Sequence, residues 1–350
     1  MYSLREFGAM IADPGRFGAY AKAIARAVRP GDTVAEIGCG PDVFSLLACQ
    51  AGARRDCGIE SEECIQFARQ LAAANGFADR IEFFQCDSRK AELPERANVI
   101  ISDIRGALPL HDNAIHLLDD ARERLLAPGG IMVPQRDTLK AAVIEAEEFY
   151  SRLITPWRNS VSGIDLSPAL LPVLNQFYTS IFKNEQILTQ PQDWGLLDYT
   201  VGASTRAAAE LHFHVGRDAT AYGVCLWFDT QLFEDIGYTS APGTTGTVHG
   251  QFFLPWLEPV PIQKGAVNSN LAACRSRWPE LHLAVGNKDR CNSRHSGVQL
   301  SAIEFSGGTF FVTIASTCGR GLRSPALGGS PGGSMDAGKN GWRRFLAANC

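Results

Sequence analysis

The chain has 350 residues, 45% of them hydrophobic, with a formal net charge of −4, which is enough apolar material for two buried cores. No run of about 18 apolar residues occurs, and Met1-Tyr-Ser-Leu-Arg-Glu is not a signal peptide, so a cytoplasmic protein with no membrane partner is expected. The ten cysteines stand singly, without a Cys-x-x-Cys pair or a His/Cys cluster of zinc spacing, so buried thiols are expected and neither disulfides nor a metal site.

Asp13-Pro14 reads as an N-cap followed by proline at the first helical position. The helix carries Phe17, Tyr20, Ile24 and Val28 on one face and stops at Pro30-Gly31. A strand (Thr33 to Ile37), a helix (Val43 to Gln50) and a second strand (Arg54 to Ile59) follow. A helix from Ser61 to Asn75 ends at Gly76, and Ile81 to Cys86 and Asn98 to Ser102 are the third and fourth strands. A helix from about Asn113 to Leu126 stops at Pro128-Gly129-Gly130, and Ile131 to Val133 begins a fifth strand. This alternation predicts a parallel sheet with helices on both faces and ligands at the carboxyl ends of its strands. After Pro134 the segments Thr138 to Ile144, Glu210 to Val215, Tyr222 to Phe228 and Val248 to Phe253 are short and β-rich, as in an antiparallel sandwich or barrel. Residues 150–186 read as an excursion from it, and Gly319 to Gly341 is a Gly/Ser/Pro tract too poor in apolar residues to pack.

Val34-Ala-Glu-Ile-Gly-Cys-Gly40 ends the first strand in an acid and a Gly-x-Gly turn, and Glu60 follows 20 residues after Gly40. Glycines let the backbone turn sharply and approach a ligand closely, and the later carboxylate can accept from two ribose hydroxyls. Val43 occupies the third small position of a dinucleotide fingerprint, and Glu36 is foreign to it. Glu36 can instead bond the amino group of a zwitterion, so S-adenosylmethionine fits both carboxylates and NAD only one. Cys39 inside the turn reads as a small filler more than as a nucleophile.

Asp103 and Asp112 lie nine apart in Ser102-Asp-Ile-Arg-Gly-Ala-Leu-Pro-Leu-His-Asp112, a loop that returns to the sheet mouth. With Phe7-Gly8, the Asp13, Arg16 and Tyr20 spacing, Glu36-Ile-Gly-Cys-Gly40, Gly58-Ile-Glu60, Leu126-Ala-Pro-Gly-Gly130, Trp157, Gly163-Ile-Asp-Leu-Ser167, Asp198-Tyr199 and Val248-His-Gly-Gln251, this loop resembles the protein arginine methyltransferases. The resemblance runs from about Phe7 to Lys264. It implies a Rossmann-like class I methyltransferase domain over 1–133 and a mostly antiparallel β-barrel over 134–318. A helical dimerisation arm is inserted at about 150–186, giving a homodimer. It further implies S-adenosylmethionine as cofactor, with Arg16 on its carboxylate, Gly38 and Gly40 at the turn and Glu60 on the ribose. Ser88-Arg89 replaces the acid that meets the adenine amino group. Asp103 and Asp112 would take a target guanidinium with His249 nearby, no nucleic acid being required. Read without the resemblance, His249 fits a structural histidine and Arg16 a surface residue.

A guanidinium has a pKa above about 12, so two carboxylates serve to grip it through paired bonds and to leave lone-pair density on the third nitrogen. Here both acids are Asp, each a methylene shorter than the family's Glu, and Arg105 stands where the family has an apolar residue. Facing the pocket, Arg105 would repel a cation. A small-molecule amine as acceptor, or a non-catalytic dimeric scaffold, are therefore the alternatives. From Gly265 to Cys350 the chain has ten Lys/Arg against four Asp/Glu, and the resemblance fades, as a terminus altered by a shifted reading frame would produce. An incomplete barrel is then expected, with Ser301 to Ile314 able to add a strand pair and 319–350 unpacked. The acidic remainder suits either a cationic substrate or a merely solvated surface.

Overall fold

Strands joined through helices pair in parallel, because a crossover returns the chain to the same edge. The computed structural model describes residues 2–110, 113–248 and 250–265, with the backbone alone at 210 and at 274–277, 280–283, 299–306 and 309–315. Strands β1 (Thr33–Ile37), β2 (Arg55–Glu60), β3 (Ile81–Gln85), β4 (Ala97–Ser102) and β5 (Leu126–Val133) form a parallel sheet in the order β3-β2-β1-β4-β5. Side-chain alternation divides them between two layers. Val34, Val99, Ile101 and Val133 pack under α2 (Pro14–Ala27) and α3 (Val43–Ala51), through Tyr20, Ile24, Phe44 and Ala48. Ala35, Ile37, Ile100 and Met132 meet Ile115 and Leu118 of α5 (Ala114–Asp120) on the other side. The order reverses between β1 and β4, so the loops after them part and leave a crevice at the carboxyl ends.

Three local expectations differ. A short helix α1 (Leu4–Ala12) precedes α2; none of its residues is buried, and a reciprocal Ser3–Glu6 capping box starts it. Helix α4 (Ile65–Ala74) begins four residues later than expected, because the Glu62 N–H donates to Glu60 Oε1 at 3.0 Å and holds that segment in a turn. After α5 the chain makes a π-turn over Ala121–Leu125 and enters β5 at once. Pro128-Gly129-Gly130, expected as a stop, lies inside β5 as an irregularity: Ala97 pairs with Leu126 and Val99 with Ile131.

The second sheet is antiparallel. Strands β6 (Arg136–Ile144), β7 (Tyr178–Ser180), β8 (Gln192–Asp198), β10 (Ala219–Phe233) and β12 (Gln251–Ile262) lie in the order β7-β12-β10-β6-β8. Strand β11 (Ile236–Thr239) folds back on β10. A further sheet joins β9 (Ala207–His212) to a hairpin of β15 (Gln299–Ser306) and β16 (Thr309–Ala315), the strand pair expected between Ser301 and Ile314. Strands β13 (Cys274–Arg277) and β14 (Glu280–Leu283) pair with each other. The excursion expected at about 150–186 begins with helix α6 (Glu147–Arg158) and includes α7 (Leu170–Leu174). Its base is fastened to the barrel through Tyr150, Ile154, Leu174 and Phe182 against Trp227 and Phe253, while Val161 and Ile164 are exposed. The tract at 319–350 lies outside the described residues.

Candidate active site

The turn after β1 is built by two glycines at φ +69° (Gly38) and φ +53° (Gly40), where a side chain would be strained. A Cβ on Gly38 would collide with Ile104, next to Asp103, so the loop after β4 rests directly on this turn. The Gly40 N–H donates to Glu60 Oε2 at 3.0 Å, bringing together the glycine turn and the acid at the end of β2. Ser88 is buried with its hydroxyl unpartnered. Arg89 turns away to Asp87, at 2.5 Å, and lines a separate open groove of about 500 Å³ with Lys90, Arg96 and Arg124.

Glu36 is placed differently from what a direct ligand contact requires. It is buried, and its Oε2 accepts from the Ser45 N–H at 2.8 Å and from Ser45 Oγ at 3.0 Å, at the start of α3. Ser45 Oγ also lies 2.8 Å from Asp56 Oδ1, which accounts for an acid inside a buried parallel strand. Asp42, at φ +64°, joins these two with both carboxylate oxygens buried and unpartnered. Burial, reinforced by the neighbouring acids, raises Glu36 and Asp42 well above the carboxylate range, and burial pushes Asp56 up to about 7. Such protons are held in the folded protein and lost on unfolding once pH exceeds the ordinary range. The cluster's contribution to stability is therefore full below about pH 4 and falls as pH rises through 7. Asp42→Asn, which removes one of these titrating acids at a left-handed position that Asn tolerates, is expected to raise the melting temperature more at pH 8 than at pH 5. Equal shifts at the two pH values in a calorimetric scan would contradict this. Cys39 is also buried, with its thiol pushed up by burial and then by the same acids, as suits a filler and not a nucleophile.

At the mouth itself, Asp103 follows β4 and Arg16 comes from the first turn of α2. Arg16 is buried, against the surface reading, and it pairs with Asp103 Oδ2 through both Nε and Nη2. Arg105, two residues on, is fully buried and does not face outward. Its Nη1 donates to Asp137 Oδ1 at 2.5 Å and to Thr230 Oγ1 at 2.6 Å. Its Nη2 lies 2.9 Å from the Tyr20 hydroxyl, 3.0 Å from that of Tyr238 and 3.1 Å from Asp103 Oδ1. Burial would favour neutral Arg105, but Asp137, Tyr20, Tyr238 and Asp103 together outweigh it and the guanidinium stays charged. Two buried carboxylates thus face two buried guanidiniums, so these four groups carry no net charge. Asp137, Thr230 and Tyr238 were not singled out in the sequence; Asp137, an acid in a strand otherwise rich in apolar residues, was the available sign. Asp112 and His249 lie outside the described residues. Among the described residues no group of three or more His, Cys, Asp or Glu could hold a metal ion, and no helix is long and apolar enough to cross a membrane.

Residues 21–152, most of the parallel-sheet domain and the start of the barrel, match the family model of ribosomal protein L11 methyltransferase (PrmA). The chain is 29% identical over 233 residues to the probable protein arginine N-methyltransferase 6 of Arabidopsis thaliana, covering 64% of this chain and 53% of that protein. It is 26% identical over 277 residues to protein arginine N-methyltransferase 1 of Dictyostelium discoideum, covering 76% and 80% respectively. Along most of its described length the chain is thus similar to protein arginine methyltransferases, at identities below 30%. It spans about half the length of the Arabidopsis relative. The fold is also that of solved family structures. For the Trypanosoma brucei PRMT1 enzyme–prozyme heterotetramer with AdoHcy the TM-score is 0.70 at 23% identity, over 75% of this chain and 84% of that one. For Arabidopsis thaliana protein arginine methyltransferase 10 it is 0.66 at 22% identity, over 75% and 85%.

Proposed function

We propose that this protein is an S-adenosylmethionine-dependent methyltransferase that methylates a nitrogen of protein arginine. The observation that carries this reading is the joined mouth: the Gly40 N–H bonds Glu60, and Gly38 rests against the loop that bears Asp103. The residues suit the cofactor. Glu60 stands at the turn where a ribose would be received, the buried Ser88 hydroxyl is an orphaned polar atom toward the adenine end, and Arg16 offers a guanidinium to a carboxylate. When bound, S-adenosylmethionine supplies a sulfonium methyl group. The chain's own part is positioning: Asp103 Oδ2 receives the acceptor when Arg16 turns to the cofactor carboxylate, and Tyr20 and Arg105 hold Oδ1 in place.

A homodimer formed through the 150–186 excursion is part of the proposal, supported by exposed Val161, Ile164 and Ile181 along it. A cytoplasmic setting suits the six unpaired cysteines among the described residues.

Calorimetry with S-adenosylhomocysteine, followed by a labelled-methyl assay on arginine-rich peptides, tests the reading. Asp103→Asn is expected to cut turnover on arginine by about 100-fold while leaving cofactor affinity nearly unchanged. One observation favours a second reading, a non-catalytic partner: Asp103 is already engaged by two of the chain's own arginines. A wild-type protein that binds the cofactor product yet methylates no acceptor decides for that reading, and absent binding defeats the first.

A further inference from the structure

Three buried acids lie directly behind the glycine turn. Glu36 stands two residues before Gly38, Asp42 two residues after Gly40, and Asp56 two residues before Gly58, the register partner of Glu36 on β2. Ser45, in the first turn of α3, joins them: its Oγ lies 3.0 Å from Glu36 Oε2 and 2.8 Å from Asp56 Oδ1. A hydroxyl has one hydrogen and cannot donate to both. Glu36 Oε2 also takes the Ser45 N–H at 2.8 Å. The network is therefore complete when Ser45 Oγ donates to Glu36 and a proton on Asp56 donates to Ser45 Oγ. Asp42 closes the cluster, its carboxylate oxygens buried without a hydrogen-bond partner and Oδ1 2.9 Å from the Cβ that Gly58 would carry.

The turn hangs on the same frame. The Gly38 and Cys39 N–H groups donate to the Ile59 carbonyl at 2.8 and 3.1 Å, and the Asp42 N–H donates to the Cys39 carbonyl at 2.7 Å. Besides one another, the acids face Glu60 at the end of β2 and the thiols of Cys39 on the turn, Cys49 on α3 and Cys57 on β2. Burial keeps all three thiols protonated, pushing Cys49 and Cys57 up to about 12. Arg80 reaches the far end of α3, where it bonds the Cys49 carbonyl at 2.8 Å. We propose that this cluster makes cofactor binding proton-linked: with the Asp56 proton in place, β1, β2 and α3 hold the turn ready for the adenosyl ligand, and losing it sets the acids against one another and loosens the turn. The proposal rests on the methyltransferase reading and adds a pH control to its cofactor site. Burial pushes Asp56 up to about 7, so the proton leaves across neutral pH. A ligand that favours the protonated cluster binds fully below that range, binds more weakly as pH rises through 7, and takes up protons as it binds.

Calorimetric titration of the full chain with S-adenosylhomocysteine at pH 6 and pH 8 tests this. Wild-type affinity is expected to be at least about threefold weaker at pH 8. Titrations at pH 7.5 in phosphate and in Tris, whose heats of ionisation differ, are expected to show uptake of about half a proton per ligand bound. Asp42→Asn combined with Asp56→Asn leaves Glu36 as the one acid, with both Ser45 donors to itself. That variant is expected to bind equally at the two pH values, within about twofold, and to take up no proton. The ligand's own titration is common to both proteins and drops out of the comparison. A wild-type change below about threefold, no proton uptake, or an equal change in the double variant overturns the proposal while leaving the methyltransferase reading standing. Failure of the wild type to bind at either pH overturns both. If the double variant does not fold, Asp56→Asn alone carries the same comparison, and a merely structural role for the cluster would lower stability without moving the proton count.

Discussion

Arg105→Ala is expected to lower the melting temperature by about 10 °C, the largest stability loss available to a single substitution near the site. The change strands the Asp137 carboxylate, which is fully buried and loses the partner at 2.5 Å. Removing one member of a buried pair costs about 3–5 kcal/mol, against a total of roughly 5–15 kcal/mol for a folded domain. Thr230 and the hydroxyls of Tyr20 and Tyr238 lose a donor in the same step. Adding Asp137→Asn neutralises the stranded charge, so the double variant is expected to recover most of the loss. Thermal unfolding of the two single variants and the double variant measures the coupling. Additive losses would show that the pair is not a unit.

Gly40→Val is expected to reduce S-adenosylhomocysteine affinity by at least about 100-fold. A Cβ there sits at φ +53° and 2.7 Å from the Phe7 ring, so the turn must shift. That shift takes away the Gly40 N–H that holds Glu60 Oε2. The control is Gly18→Ala on α2, where a Cβ meets nothing within 4 Å and stability should rise by about 0.5–1 kcal/mol with affinity unchanged. Calorimetric titration separates the two, and wild-type affinity in Gly40→Val would remove the glycine turn from the binding site.

What was legible in the sequence is what short-range chemistry determines. The strand, glycine turn and Glu60 lie within one β-α-β unit, where spacing alone places the carboxylate opposite the turn. The five-strand alternation was readable for the same reason. Helix α1 carries Leu4, Phe7 and Ile11 at helical spacing, a pattern too short to stand out in the sequence, and none of its residues is buried. The Arg105 network was unreadable because its partners Asp137 and Thr230 lie 32 and 125 residues along the chain, on barrel strands whose register no local pattern sets. Arg105 could be seen only as a charge out of place. Asp56, an acid in a buried strand, is likewise explained only by Ser45, which bonds both it and Glu36.

The Arg105–Asp137 pair also bears on how this site can change over generations. Replacing Arg105 alone leaves the buried Asp137 carboxylate with no charged counterpart, whereas replacing Asp137 alone still leaves Arg105 beside Asp103 at 3.1 Å. Loss of Arg105 must therefore follow or accompany a change at Asp137, or wait for a stabilising change elsewhere to absorb the intermediate. The order in which these two residues can change is thus fixed by an epistatic lock, and drift at the exposed rim of the mouth is the less constrained route to a different site.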